Sequence, residues 1–299
     1  MKNLIKHNEK IYRDIHLKYR NVTKKRILTT VKLSDLGVKN LKSKIGIDVC
    51  CGALGLGAIN LINLGLRKIH LFDLNQKNVL SSKKNILKTF KDKNLNIEIF
   101  SGNLENYKFK KDYYDVILFQ GALHHMSKDV NALKSIYKGA KKNCSFLLTV
   151  QGKGGLVTET TFDVFNKKYF EDKKVKYFFD SLFANNANLK KYINFLKKNS
   201  DKNGKKLLDL ILKLADSDFF QTLEDRIKSK RYYQYTYEEI KNKLNKVGFK
   251  KIKLVKKLSK NKYTNLRQIF NSVYINKNTL LSHVLYGKDS SHINIQCTK

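Results

Sequence analysis

Three stretches of this 299-residue chain place chemically useful groups at the ends of apolar runs. The first is Asp48-Val49-Cys50-Cys51-Gly52-Ala53-Leu54-Gly55-Leu56-Gly57, a glycine-rich turn that follows the run IGIDVC (45–50). Such a turn lets backbone approach a ligand closely, and a helix starting after it offers unpaired N–H groups at the same place. The second is LFDLN, where Asp73 closes an apolar run about 20 residues further on; a carboxylate there can accept two hydrogen bonds from ribose hydroxyls. The third is DVILFQGALHHM (115–126), with His124 and His125 just past a buried run. An imidazole with an ordinary pKa near 6.5 can take or return a proton. The turn is neither an in-register G-x-G-x-x-G fingerprint nor a P-loop, since no Gly-Lys-Ser/Thr follows. No metal site is expected: the histidines are adjacent rather than at i, i+4, and no acidic cluster accompanies them.

These groups need elements to hold them. Strands are expected at 45–50, 68–73, 97–101, 115–120 and 145–150, with a helix after Gly57, another from Asn75 (as N-cap) to Phe90, and a third over 128–141. In the second helix Val79, Leu80, Ile86, Leu87 and Phe90 read as the buried side. Alternation of this kind predicts a parallel sheet with helices on both faces. The rhythm stops at QGKGG (151–155) and resumes at Thr236, which caps YEEIKNKLNKVGF ahead of Gly248; strands follow at 250–255 and 292–297. The fold class expected is α/β, a doubly wound, Rossmann-like, mostly parallel seven-stranded sheet with a helical insertion after strand five. The chain divides into an N-terminal helical cap (1–44), a sheet domain (45–150 with 236–299) and a mainly helical insertion (151–235). Leu207, Leu208, Ile211, Leu212 and Leu214 form an apolar stripe in the insertion, expected to pack in a core.

Composition bounds the function. Hydrophobic residues make up 41% of the chain, enough for a core. No run approaches the roughly 18 apolar residues of a membrane span, and the first residues lack a secretory signal's apolar stretch. A soluble, cytoplasmic protein with no membrane partner is expected. Lys and Arg number 61 against 25 acidic residues, a formal charge of +36. Only Arg13, Arg20, Arg26, Arg67, Arg226, Arg231 and Arg267 are arginines, whereas bidentate phosphate and base recognition favours arginine. The lysines are spread evenly, and Lys, Asn, Ile, Tyr and Phe abound, so A/T-rich codon usage and a basic binding surface both fit. Cys50, Cys51, Cys144 and Cys297 form no Cys-x-x-Cys pair and read as buried thiols.

The ordered set IDVCCGALGLG, LFDLN, SGNLE, YYDVILFQGALHHM and ALKSIYKGAKKNCSFLLTV resembles the class I S-adenosylmethionine-dependent methyltransferases. YEEIKNKLNKVGFKKIKLV is similar to that family's sixth strand and preceding helix. The resemblance implies S-adenosyl-L-methionine as cofactor. Asp48, Cys50, Gly52 and Gly55 would line its methionine part, Asp73 and Leu74 its ribose, Asn103 and the backbone of Leu104 its adenine, and Gln120 with Gly121 its sulfonium. Three positions depart from the family: Cys50 and Leu54 stand where glycine is usual, and Asn103 where an acid is usual. Cys50 is tolerated if its φ is negative, and Leu54 shifts the turn onto Gly55.

The sulfonium methyl is already electrophilic, so the protein must align a nucleophile and exclude water. His124 and His125 are the candidates for a base or substrate ligand, and Tyr12, His16 and Tyr19 could close over the site. The leading expectation is methyl transfer to O, N or C of a small-molecule acceptor, with YFFDSLF (177–183) and RYYQYTY (231–237) lining its pocket or packing as core. An RNA or tRNA acceptor is the alternative, supported by KSKRYYQY (228–235) and KKLSKNK (256–262), although a chain without proline cannot carry the proline-containing motifs of several nucleic-acid methyltransferases. A non-catalytic binder of the same fold is a third reading, and an NAD-dependent reductase is disfavoured by the glycine spacing. The sequence leaves the oligomeric state open.

Overall fold

The computed structural model describes residues 10–11, 14–15, 37–91, 94–153, 164–184, 186–215, 224–230, 233–255 and 292–299. Tyr12, His16, Tyr19 and the KKLSKNK cluster, on which expectations were placed, lie outside these residues. So does most of the N-terminal segment.

Strands β1 (Ile45–Val49), β2 (Lys68–Asp73), β3 (Asn96–Ser101), β4 (Tyr114–Gln120) and β5 (Ala140–Gln151) are interleaved with α1 (Leu56–Asn63), α2 (Gln76–Thr89) and α3 (Asp129–Gly139). The helices α4 (Phe165–Glu171), α5 (Lys173–Ala184), α6 (Asn186–Lys198) and α7 (Lys202–Ala215) follow. Then come α8 (Tyr237–Val247), β6 (Lys250–Leu254) and β7 (His292–Thr298). The seven strands form one sheet in the order β3-β2-β1-β4-β5-β7-β6. Five of them pair in parallel, whereas β7 runs antiparallel to both β5 and β6, so the sheet is mixed. Winding reverses between β1 and β4, the place where an open α/β sheet parts its loops and admits a ligand. The register Val49↔Phe72 and Val49↔Phe119 brings the carboxyl ends of β1, β2 and β4 level there.

The near-continuous apolar strands follow from burial on both faces. Val116 and Leu118 of β4 pack with α1 and α2 around Ile69 and Leu71. Their neighbours Ile117 and Phe119 pack on the opposite face with Leu133, Ile136, Ile240 and Leu244 of α3 and α8. Helix α3 ends at Gly139 rather than 141, and β5 starts at once.

The caps are local and readable. Asn75 accepts from the Lys77 N–H at 2.8 Å, and Thr236 forms a full capping box with Glu239. Gly248 ends α8 at φ 117°, the left-handed conformation that glycine enters without a Cβ clash.

In the helices after β5, Phe179 and Phe183 are buried with Tyr169 and Ile227, whereas Tyr177 and Phe178 are exposed. Leu207 is 59% exposed, so this member of the expected stripe is not core; Leu208 is half-buried, and the side chains of Ile211, Leu212 and Leu214 lie outside the described residues. Helix α7 turns Leu207 outward, and leucine is a good helix former wherever it points.

Replacing Thr236 by alanine removes an N-cap worth about 1 kcal/mol. Urea denaturation should report a loss of that size with an unchanged slope; no loss would show that the box is idle.

Candidate functional site

The chain leaves β1 through three left-handed residues: Cys50 at φ 60°, Gly52 at φ 62° and Gly55 at φ 59°. The condition set for Cys50, a negative φ, is therefore not met. The loop must swing toward β2, where the Cys51 N–H donates to the Phe72 carbonyl at 3.0 Å and the Gly52 N–H to Asp73 Oδ2 at 3.0 Å. Those two bonds hold Cys50 left-handed, at a cost of about 1 kcal/mol for a side chain with a Cβ. Cys50 is half-buried against the core, and Cys51, Cys144 and Cys297 are buried thiols.

Asp73 is the hub. Its Oδ1 accepts from the Asn75 N–H at 3.1 Å and from Asn78 Nδ2 at 3.0 Å, beside the Gly52 bond to Oδ2. A carboxylate offers about four acceptor positions, and three are taken within the protein. That leaves one for a ribose hydroxyl rather than the two expected. The side chain is 8% exposed, at the tip of β2.

Helix α2 grips the same loop. Ser82 Oγ donates to the Gly52 carbonyl, and Asn85 Nδ2 donates to the Leu54 carbonyl at 2.7 Å. Asn78, Ser82 and Asn85 are all buried, one polar stripe at i, i+4, i+7, while Leu80 and Leu87 of the expected apolar side face out. The sequence reading missed this stripe. Its signal was three short polar residues at helical spacing beside Val79 and Ile86, and loop carbonyls need donors where the loop is buried.

Asp48 lies behind the turn, with Oδ2 accepting from the Ala58 N–H at 2.8 Å. A Cβ on Gly57 would stand 2.7 Å from both Asp48 oxygens, so glycine is what lets α1 come this close. Burial pushes the Asp48 carboxyl up to about 7; the Ala58 N–H pulls it back and the neighbouring Asp73 pushes it further up.

Across the switch point, Gly121 follows β4 at φ 70°, and no atom of the described residues lies within 4 Å of where its Cβ would be. After it, Leu123–His125 form a 3-10 turn. The two imidazoles are in contact, with centroids 4.1 Å apart, but bond differently. His124 is buried, and its Nδ1 accepts from the Gln151 N–H at 3.3 Å, which puts its proton on Nε2. His125 Nδ1 lies 2.9 Å from the Lys230 carbonyl, which can only accept, so Nδ1 carries a proton; in the neutral ring the lone pair is on Nε2.

Residues 47–143 match the family model described as a methyltransferase domain. These residues are therefore a methyltransferase domain. S-adenosylmethionine is the cofactor that the sequence motifs imply for it. In fold the methyltransferase resembles an S-adenosylmethionine-dependent methyltransferase from Archaeoglobus fulgidus, with a TM-score of 0.50 at 12% identity over 95% of this chain and 97% of that one. It also resembles a chain of the complex between the Haloferax volcanii Trm112 methyltransferase activator and a methyltransferase, with a TM-score of 0.52 at 10% identity over 96% of each chain. No curated protein matches it by sequence.

The residues fit the cofactor. The turn 50–55, Asp73 with one acceptor position left, and the open space over Gly121 share the carboxyl edge of β1, β2 and β4. Asn103 follows β3, where its Oδ1 is already bonded to the Glu105 N–H at 3.0 Å. Leu104 is buried in the core, so only its backbone can face a ligand, and Leu74 is exposed. Gln120 closes β4 and is partly exposed. Among the described residues no group of three His, Cys, Asp or Glu side chains could hold a metal ion. No helix among them is long and apolar enough to cross a membrane.

Because the folded chain holds a proton on Asp48 that the unfolded chain releases near pH 4, stability is full below about pH 4 and drains as pH rises toward 7. Asp48→Asn should flatten this part of the stability–pH profile, measured by urea denaturation. A slope equal to wild type would contradict the placement of that proton.

Proposed function

We propose that this methyltransferase moves the methyl group of S-adenosylmethionine to a small-molecule acceptor whose nucleophile carries a proton, a hydroxyl or a protonated amine. The carrying observation is the opposed bonding of the two histidines beside Gly121. One presents a donor through Nε2–H and the other an Nε2 lone pair, a pair suited to orient an acceptor and take up its proton.

The cofactor supplies the electrophilic methyl group. Asp48, Cys50, Gly52 and Gly55 would hold its methionine portion, and the cationic head would draw Asp48 to its ionised form. Asp73 would accept one ribose hydroxyl beside Leu74. The Asn103 amide nitrogen, its oxygen being engaged, would donate to an adenine ring nitrogen next to the Leu104 backbone. Gln120 and Gly121 would border the sulfonium. His125 would act as base and His124 as hydrogen-bond donor. Residues 151–235, between the sheet domain's two parts (45–150 and 236–299), would wall the acceptor pocket as a helical insertion. Residues 1–44 would cap it, and the cytoplasm suits a chain with free thiols.

An RNA acceptor has one observation in its favour: Tyr177 and Phe178 are exposed on α5 beside exposed Lys173 and Lys174, rings and cations that could stack bases and meet phosphates.

Incubation with methyl-labelled S-adenosylmethionine and fractionated metabolite or RNA pools separates these readings. Label should enter a low-mass product, with His125→Asn lowering the rate about 100-fold, within the range for a lost general base. Label in RNA, with binding that falls steeply with salt, would replace the small-molecule reading. No transfer to any pool, with the cofactor bound, would favour a non-catalytic binder.

A further inference from the structure

The insertion's return path crosses the histidines. Asn166 of α4 directs its side-chain amide at the carbonyls of Arg226, Ile227 and Ser229, at 3.1, 3.0 and 2.8 Å. One residue on, the Lys230 carbonyl meets His125 Nδ1. The Tyr233 N–H then donates to the His124 carbonyl at 3.3 Å, and the Tyr233 hydroxyl donates to the Ser127 carbonyl at 2.9 Å. Tyr235 joins the edge of β5: its N–H donates to the Gln151 carbonyl at 3.0 Å, and its carbonyl accepts from the Lys153 N–H at 2.9 Å. Gln151 is the residue whose N–H bonds His124. Lys230, Tyr233 and Tyr235 therefore touch both histidines and the strand end behind them.

What fixes this strap is a buried clasp. The Tyr235 hydroxyl donates to Asp129 Oδ2 at 2.9 Å, Lys243 Nζ meets the same oxygen at 2.6 Å, and the Val130 N–H donates to Oδ1 at 2.7 Å. Tyr235 and Asp129 are buried, and Lys243 comes in from α8 over the Tyr233 and Tyr235 rings at 5.0 and 5.7 Å. A buried carboxylate needs such a cation, and truncating one partner leaves the other charge exposed to the full desolvation cost.

We propose that Tyr235, Asp129 and Lys243 are positioning residues: their clasp anchors Tyr233–Tyr235, close in sequence to Lys230, so that the Lys230 carbonyl holds His125 in its Nδ1–H tautomer with Nε2 as the nitrogen that takes the acceptor's proton. Through Asn166 the same strap ties the base to the helices proposed to wall the acceptor pocket. The inference rests on the proposed role of His125, but not on knowing the acceptor.

The test is nitrogen NMR of the full chain labelled in histidine, with the His125 signal assigned from His125→Asn. Wild type should show protonated Nδ1 and bare Nε2. Tyr235→Phe, which removes only the hydroxyl, should lose that signature to mixed tautomers, while the His70 signal and S-adenosylhomocysteine binding stay as in wild type. Lys243→Gln should do the same, Lys243→Arg should restore the signature, and this pair decides the matter if Tyr235→Phe does not fold. An unchanged His125 signature in Tyr235→Phe, or in Lys243→Gln, would overturn the proposal. Loss of cofactor binding in wild type would instead remove the cofactor assignment, with the tautomer still readable.

Discussion

The site hangs on one carboxylate. Asp73 closes β2, and its oxygens bind the Gly52 N–H of the neighbouring turn together with the Asn75 N–H at the cap of the next helix and the Asn78 side-chain amide within it. One side chain thus joins the ends of β1 and β2 and the start of α2. A buried loop needs a partner for every N–H and carbonyl, and an unmet one costs about 1–3 kcal/mol. Asp73 meets the donors, and Ser82 and Asn85 meet the carbonyls of Gly52 and Leu54. This clamp, with the Cys51 N–H bond to the Phe72 carbonyl, opposes the strain of the left-handed conformation at Cys50.

From that clamp the rest follows by position. The glycine turn can only face a ligand if it stands at the reversal of the sheet, and β1 beside β4 puts it there. The same reversal sets Gly121 and the two histidines opposite the turn, so a cofactor and an acceptor would meet across a gap that the strand order creates. Asp48 adds an electrostatic element. It is buried behind the turn and holds its proton weakly near neutrality, so it can gain charge when a cation arrives.

Much of this was legible in the sequence. The strands were readable because both faces of the sheet are buried, which leaves unbroken apolar runs such as VILF before Gln120. Asn75, Thr236 and Gly248 were readable because caps act within a few residues. What failed depends on tertiary partners. The buried side of α2 was taken to include Leu80 and Leu87, because apolar periodicity cannot reveal that the Asp73 carboxylate draws Asn78 inward and loop carbonyls draw Ser82 and Asn85. The sign of φ at Cys50 was not legible because two bonds to β2 decide it. His124 and His125 were named together, yet nothing in an adjacent pair tells which nitrogen carries the proton; that comes from Gln151 and from Lys230, 105 residues away in the chain.

Calorimetric titration of S-adenosylmethionine into Asp73→Ala, beside wild type and with the fold checked by thermal melting, tests the clamp most directly. The ligand loses a charged hydrogen-bond acceptor and the turn loses its anchor, each worth about 1.5–3 kcal/mol, so affinity should fall at least 100-fold. A folded Asp73→Ala protein that binds S-adenosylmethionine as wild type does would contradict the account.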